Sequence, residues 1–176
     1  MTEVLRDESC VRKVGAISGP NLAREIVAGQ PAATVVASRY EEVIQRGARL
    51  LHGPGFRVYG NRDVVGCEVG GALKNIVAIA SGVSHGLGFG ANTKSLLMTR
   101  GLAEIARFGT LMGAEAETFA GLAGMGDLIV TCSSELSRNF RVGLGLTSGK
   151  SVDEVLGDMV EVAEGVRTTR VALVIA

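Results

Sequence analysis

The stretch Phe56–Ser81, FRVYGNRDVVGCEVGGALKNIVAIAS, holds the change of pattern that decides the fold. Phe56–Tyr59 mixes aromatic and β-branched residues over a short span and reads as a strand. From Asp63 onward the pattern is helical, and Gly71–Ser81 is a helix of small and apolar residues. On the N-terminal side, strand-like and helix-like runs alternate. Val14–Ser18 (VGAIS) is a buried strand ending at Gly19-Pro20. Leu22–Ala28 is a short helix, Thr34–Ser38 a second strand, and Tyr40–Leu51 a second helix. Such alternation predicts βαβ units and a parallel sheet. Three strands are too few for an independent doubly wound domain, so this part is expected to be the tail of one. On the C-terminal side, Thr93–Met112 carries Met98, Leu102, Ile105, Gly109 and Met112 on one helical face, a core stripe. Further helices are expected near Ser137–Leu146 and Val162–Ile175. The division is therefore an α/β tail over 1–60 and a mostly all-α domain over 61–176.

Composition excludes several function classes. The 176 residues carry 18 basic and 18 acidic side chains, a formal net charge of zero, and no Trp. No basic arm or aromatic platform suits nucleic acid. The apolar runs, such as Ile76–Ala80 and Val171–Ala176, fall short of the ~20 residues of a membrane span. Cys10, Cys67 and Cys132 are an odd number and far apart, and with His52 and His85 they show no metal-ligand spacing, which suits a reducing cytoplasm. Glycine occurs 25 times, a sign of backbone running close to another helix or to a ligand.

Two glycine clusters imitate nucleotide-binding loops. Gly86-Leu87-Gly88-Phe89-Gly90 follows a helix and brings its third glycine one residue early for a dinucleotide fingerprint. Gly145–Ser151 has three residues between its glycines where a P-loop has four. A helix C-cap followed by a capping box, Ser151 with Glu154, accounts for the second cluster.

Lys74 lies in a strongly apolar helix and shares a face with Ala78 and Ser81. Small neighbours leave an ammonium reachable, and a partly buried lysine can act as acid or base. The alternative is a lysine that snorkels to the surface. Asp127 follows Gly124-Met125-Gly126 at a loop-to-helix junction, where it is either a ligand contact or a plain N-cap. Ser137-Arg138-Asn139 places a hydroxyl, a guanidinium and an amide at a helix start. That set suits a phosphate, and equally a capping serine beside a solvated arginine.

The segments GPNLAREI, the run from Phe56 through Gly109, ETFAGLAGMGDLIVTCSSELSRNFRVG and VAEGVRTT together resemble the bacterial NAD(P)-dependent glycerol-3-phosphate dehydrogenases. The resemblance covers essentially the whole chain. It implies a Rossmann-like parallel sheet preceding an all-helical substrate domain, NAD or NADP as cofactor, and hydride transfer between sn-glycerol 3-phosphate and dihydroxyacetone phosphate. Motif by motif, it makes Lys74 the proton acceptor with Asn75 beside it at the substrate. Asp127, Thr131, Ser137, Arg138 and Asn139 become substrate contacts, with Gly19 and Asn21 of the G-P-x-x-A turn joining them. Asn21 stands where the family often has Ser or Thr. Ala23, Arg138, Val162 and Glu164 become cofactor contacts. No metal is implied, the partner is a small phosphorylated molecule, and a homodimer is left open. The family's N-terminal glycine fingerprint is absent from these residues, Met1 falls at an internal family position, and VALVIA stops inside an apolar helix. A fragment is therefore expected, with weak cofactor binding of its own. The alternative is a non-catalytic helical dimerisation module derived from such an enzyme.

Overall fold

A computed structural model describes residues 1–159 and 162–175. Ala176, the end of the VALVIA run, lies outside the described residues. The chain divides into two compact units, Met1–Gly71 with Ala106–Asp127, and Ala72–Ile105 with Leu128–Ala176.

The first unit contains α1 (Thr2–Asp7), β1 (Ala16–Ser18), α2 (Ala23–Val27), β2 (Ala32–Ala37), α3 (Glu41–Leu51) and β3 (Phe56–Asn61). The sheet order is β1-β2-β3. β2 and β3 are parallel, Ala32 opposite Phe56 through Ala37 opposite Asn61. The α3 crossover between them is the connection that parallel strands need. Gly47 on α3 sits where a Cβ would lie 2.9 Å from Val36 Cγ1, and at Gly60 on β3 a Cβ would come within 2.6 Å of Ile44 Cγ2. Glycine at both points lets helix and sheet close on each other. Val35, Ala37, Val64, Cys67 and Ala123 form the buried cluster of this unit, with Leu122 against it.

The expectation of a parallel sheet fails at one pair. β1 runs antiparallel to β2, with Ala16 opposite Ala37 and Ser18 opposite Val35. Gly19 leaves β1 at φ 131°, a conformation that favours glycine. Thr34 Oγ1 on β2 then donates to the Ser18 carbonyl at 3.0 Å, and Asn21 Nδ2 donates to Thr34 Oγ1 at 2.9 Å. The chain is thus turned back at the strand end. The only helix in the connection, α2, has five residues, too short to carry the chain the length of the sheet.

The division between units falls within α4 (Val64–Gly86) and α5 (Ala91–Leu111). In the first unit, Asp63 caps the start of α4. Its Oδ1 accepts from Gly66 N at 2.8 Å, while Oδ2 accepts from Glu115 N at 2.9 Å, the N-cap of α6 (Ala116–Ala120). A π-helical turn, Leu122–Gly126, leads into α7 (Asp127–Ser133). The second unit adds α8 (Arg138–Leu146), α9 (Val152–Gly157) and α10 (Glu164–Ile175). Val142, Val155 and Ala163 are its buried cluster, flanked by Leu146, Leu156, Met159 and Val166. A Cβ on Gly143 would overlap the Ile79 carbonyl, and one on Gly82 the Phe140 carbonyl. The α4 and α8 backbones are therefore in direct contact.

Two expectations need correction. α4 has 23 residues, and an 18-residue window of it has a mean hydropathy of 1.4, long and apolar enough by length and composition to cross a membrane, though no single apolar run suggested it. Its glycines nevertheless lie flush against neighbouring backbone, at Gly70 against Ala123 and at Gly82 against Phe140, so it is built as a packed helix. Met112 ends the α5 stripe in sequence but is 55% exposed. The helix stops at Leu111, so the spacing no longer governs where Met112 points.

Candidate functional site

Lys74 and Asn75 sit midway along α4. Lys74 is half-buried. The two small residues on its face, Ala78 and Ser81, are fully buried, and Ser81 Oγ donates to the Cys132 carbonyl on α7 at 2.9 Å. At i+4 and i+7 from the lysine the helix therefore carries only small side chains, packed in a close-fitting stretch.

The start of α8 is arranged around Ser137, whose Oγ accepts from Phe140 N at 3.3 Å as the N-cap. The capping reading of this serine is thus correct. Arg138 Nη2 pairs with Glu164 Oε1 at 3.0 Å, with the two side chains 42% and 48% exposed. Asn139 is 4% exposed. It donates through Nδ2 to Asn75 Oδ1 at 2.9 Å and accepts at Oδ1 from Gly165 N, also at 2.9 Å. Its side chain thus ties α4, α8 and the first turn of α10 together. The structure brings Asn75 to Asn139 and Arg138 to Glu164. Val162, just before α10, is exposed.

α7 carries Asp127 and Thr131, both buried. Asp127 is not an N-cap. It has helical φ −69° and ψ −35°, because the π-helical turn runs into α7 without a break. Single π turns of this kind recur at functional sites.

Gly19, Asn21 and Ala23 belong to the first unit, at the β1–α2 turn. The donor end of Asn21 is spent on Thr34, leaving Asn21 Oδ1 and the neighbouring Ser18 Oγ buried without a hydrogen-bond partner. Ala23 is exposed at the first position of α2. Ser18 and Thr34 in the first unit, and Gly165 in the second, make hydrogen bonds to or beside these candidate residues that the sequence did not announce. Each reads alone as an ordinary strand or helix residue, and only a partner far along the chain gives it a role.

The wider comparison agrees with these motifs. Residues 63–176 match the family described as NAD-dependent glycerol-3-phosphate dehydrogenase C-terminus, and residues 1–44 match the corresponding N-terminus. A glycerol-3-phosphate dehydrogenase [NAD(P)+] of Sphingopyxis alaskensis is 53% identical over 176 residues, covering 100% of this chain and 53% of that protein. One from Dechloromonas aromatica is 54% identical over 170 residues, covering 97% and 51%. The chain spans about half the length of the curated relatives it matches. The crystal structure of glycerol-3-phosphate dehydrogenase from Coxiella burnetii superimposes with a TM-score of 0.95 at 40% identity, covering 99% of this chain and 54% of that one.

Proposed function

Because the chain belongs to the NAD-dependent glycerol-3-phosphate dehydrogenase family, we propose that the protein interconverts sn-glycerol 3-phosphate and dihydroxyacetone phosphate, with NAD or NADP as the hydride carrier. The observation that carries this reading is the Asn75–Asn139 bond. It fixes the helix with the reachable lysine beside the helix start that suits a phosphate.

In this reading Lys74 Nζ accepts the proton of the C2 hydroxyl as the hydride leaves C2, and returns it in the reverse direction. The phosphate meets Arg138, whose guanidinium keeps further donors after pairing with Glu164, together with the first-turn N–H groups and the dipole of α8. Ser137 keeps a hydroxyl proton to donate while its oxygen caps the helix. Gly19, Asn21, Asp127 and Thr131 are assigned to the substrate on the motif match alone. The nicotinamide, when bound, supplies the hydride acceptor. On the motif match, Ala23, Arg138, Val162 and Glu164 would contact it; the 176 residues contain no glycine fingerprint for its pyrophosphate.

The test is nicotinamide absorbance with glycerol 3-phosphate or dihydroxyacetone phosphate, in an enzyme that contains these residues, before and after Lys74→Met. Turnover should fall by at least ~100-fold with the melting temperature unchanged. Near-normal turnover in the variant would remove Lys74 from the mechanism, and no turnover in the parent enzyme would remove the reaction.

A further inference from the structure

α6 has five residues, and its N-cap, Glu115, makes no side-chain capping bond. A helix that short does not hold itself. The missing cap comes from the β3–α4 junction, in the same unit. Asp63 Oδ2 accepts from Glu115 N at 2.9 Å, the bond that a capping-box carboxylate makes within a single helix. Two residues earlier, Asn61 Oδ1 accepts from Asp63 N at 2.8 Å. That bond turns Asn61 Nδ2 toward Thr118 Oγ1, at 3.4 Å, in the first turn of α6. The other oxygen of Asp63 caps α4 through Gly66 N at 2.8 Å. A cap serving α4 alone needs one oxygen; the second couples the starts of two helices. Asp63 is 7% exposed, so water does not readily replace either bond.

We infer that Asp63 is a positioning residue for Asp127: by holding the start of α6 it fixes the run of helical turns that delivers Asp127 to its buried place. From Glu115 to Asp127 the backbone is one hydrogen-bonded run. Thr118 N donates to the Glu115 carbonyl, Gly121 N to that of Thr118, Gly126 N to that of Gly121, and Asp127 N to that of Leu122. A Cβ on Gly124 would overlap the Phe119 backbone, so α6 and the π-helical turn are pressed together and move as one piece. A shift at the start of α6 is therefore passed on to Asp127. That Asp127 meets a substrate rests on the dehydrogenase reading above; the clamp does not.

Asp63→Asn keeps the shape of the side chain and one acceptor. Asparagine caps helices as well as aspartate does, so its oxygen stays with Gly66 and its Nδ2 faces the Glu115 N–H, donor against donor. Asp63→Ser also caps α4 and lacks the second acceptor altogether. Amide exchange on the full chain without ligands reads the clamp. In both variants Gly66 should stay protected while Gly121 and Gly126 exchange at least ~10-fold faster. Unchanged exchange at Gly121 and Gly126 would make Asp63 a cap of α4 only and overturn the proposal. Kinetics in an enzyme that contains these residues read the consequence. In Asp63→Asn, kcat/KM for glycerol 3-phosphate should fall by at least ~10-fold, the effect of a small misplacement at a site, with KM for the nicotinamide cofactor unchanged. A lowered melting temperature with both constants unchanged per folded molecule would leave Asp63 purely structural and overturn the proposal as well. A parent enzyme without turnover would remove the dehydrogenase reading, and the exchange result would still decide the clamp, so the two fail separately.

Discussion

Arg138 contributes little to the fold through its ion pair with Glu164, so a proposed role at the phosphate can be tested apart from stability. Its pair with Glu164 is half-exposed on both sides, and such pairs contribute ~0–1 kcal/mol. Arg138→Ala should therefore leave unfolding nearly unchanged. In an enzyme containing these residues it should raise KM for glycerol 3-phosphate by ~10- to 100-fold, the loss of one charge-assisted contact, with far less effect on a substrate lacking phosphate. An equal effect on both substrates would make the arginine structural. Lys74 and Arg138 were legible in the sequence because each is conspicuous in place, a cation in an apolar helix and a fork at a helix start. Asn139 was legible only as a neighbour of Arg138. Its partners lie 64 residues before and 26 after it, and no local pattern announces such a meeting. For Asp127 the local geometry differs from the expectation, since the buried helical turn before it was read as a loop.

Among the elements, α9 was signalled most fully, because a capping box is a local code. Ser151 Oγ accepts from Glu154 N, and Glu154 Oε2 accepts from Ser151 N at 2.7 Å. Ser151→Ala should cost about 1 kcal/mol. The bond from the Ser151 N–H, then that from its hydroxyl, holds the Glu154 carboxyl below its ordinary value of 4.5. A lowered folded value means the box contributes above the unfolded carboxylate's pKa, and the contribution fades as pH falls through the folded one. The bond to Asp158, followed by that carboxylate's charge, raises Lys150 above 10.5, so its contribution is present below 10.5 and fades as pH rises through the higher folded value. Amide exchange in α9 should accelerate at both extremes, and Glu154→Gln should abolish the acid arm alone. If the acid arm survives that change, the capping box is not its source. By contrast, Gly124-Met125-Gly126 reads as the end of a loop, because glycine is a poor helix former. Tertiary packing overrides that preference: a Cβ on Gly70 would lie 2.9 Å from the Ala123 carbonyl oxygen, and Ala123 belongs to the buried cluster. β1 was placed within two residues, yet its direction depended on Thr34, which the sequence offers only as a strand residue.

At the scale of the whole molecule, the unusual glycine content is an instruction about packing more than about turns. Within the second unit, Gly82 and Gly143 let α4 and α8 meet backbone to backbone, and Gly101 faces Val77 Cγ2, where a Cβ would lie at 2.7 Å. Helix propensity and packing make opposite forecasts for Gly143, which lies inside α8. Alanine is favoured over glycine in a helix by ~1 kcal/mol, so propensity alone forecasts stabilisation. The added Cβ would overlap the Ile79 carbonyl and lie 2.8 Å from Val83 N, both backbone atoms of α4 that cannot rotate aside. Overpacking of this kind costs ~1–3 kcal/mol where side chains can give way, and more where they cannot. Gly143→Ala should therefore destabilise by at least ~2 kcal/mol net of propensity. Gly149 is the control. Its φ is 84° and nothing lies within 4 Å of an added Cβ, so alanine there should cost only the ~1–2 kcal/mol of a left-handed backbone. The two mechanisms separate on a second substitution. Asparagine tolerates the left-handed region, so Gly149→Asn should recover part of the loss, whereas Gly143→Asn should be worse than Gly143→Ala because the clash grows with the side chain. Urea unfolding of the four variants measures this directly. If Gly143→Ala proves neutral or stabilising, the α4–α8 contact is looser than backbone to backbone, and the close approach that places Asn139 against Asn75 needs another cause.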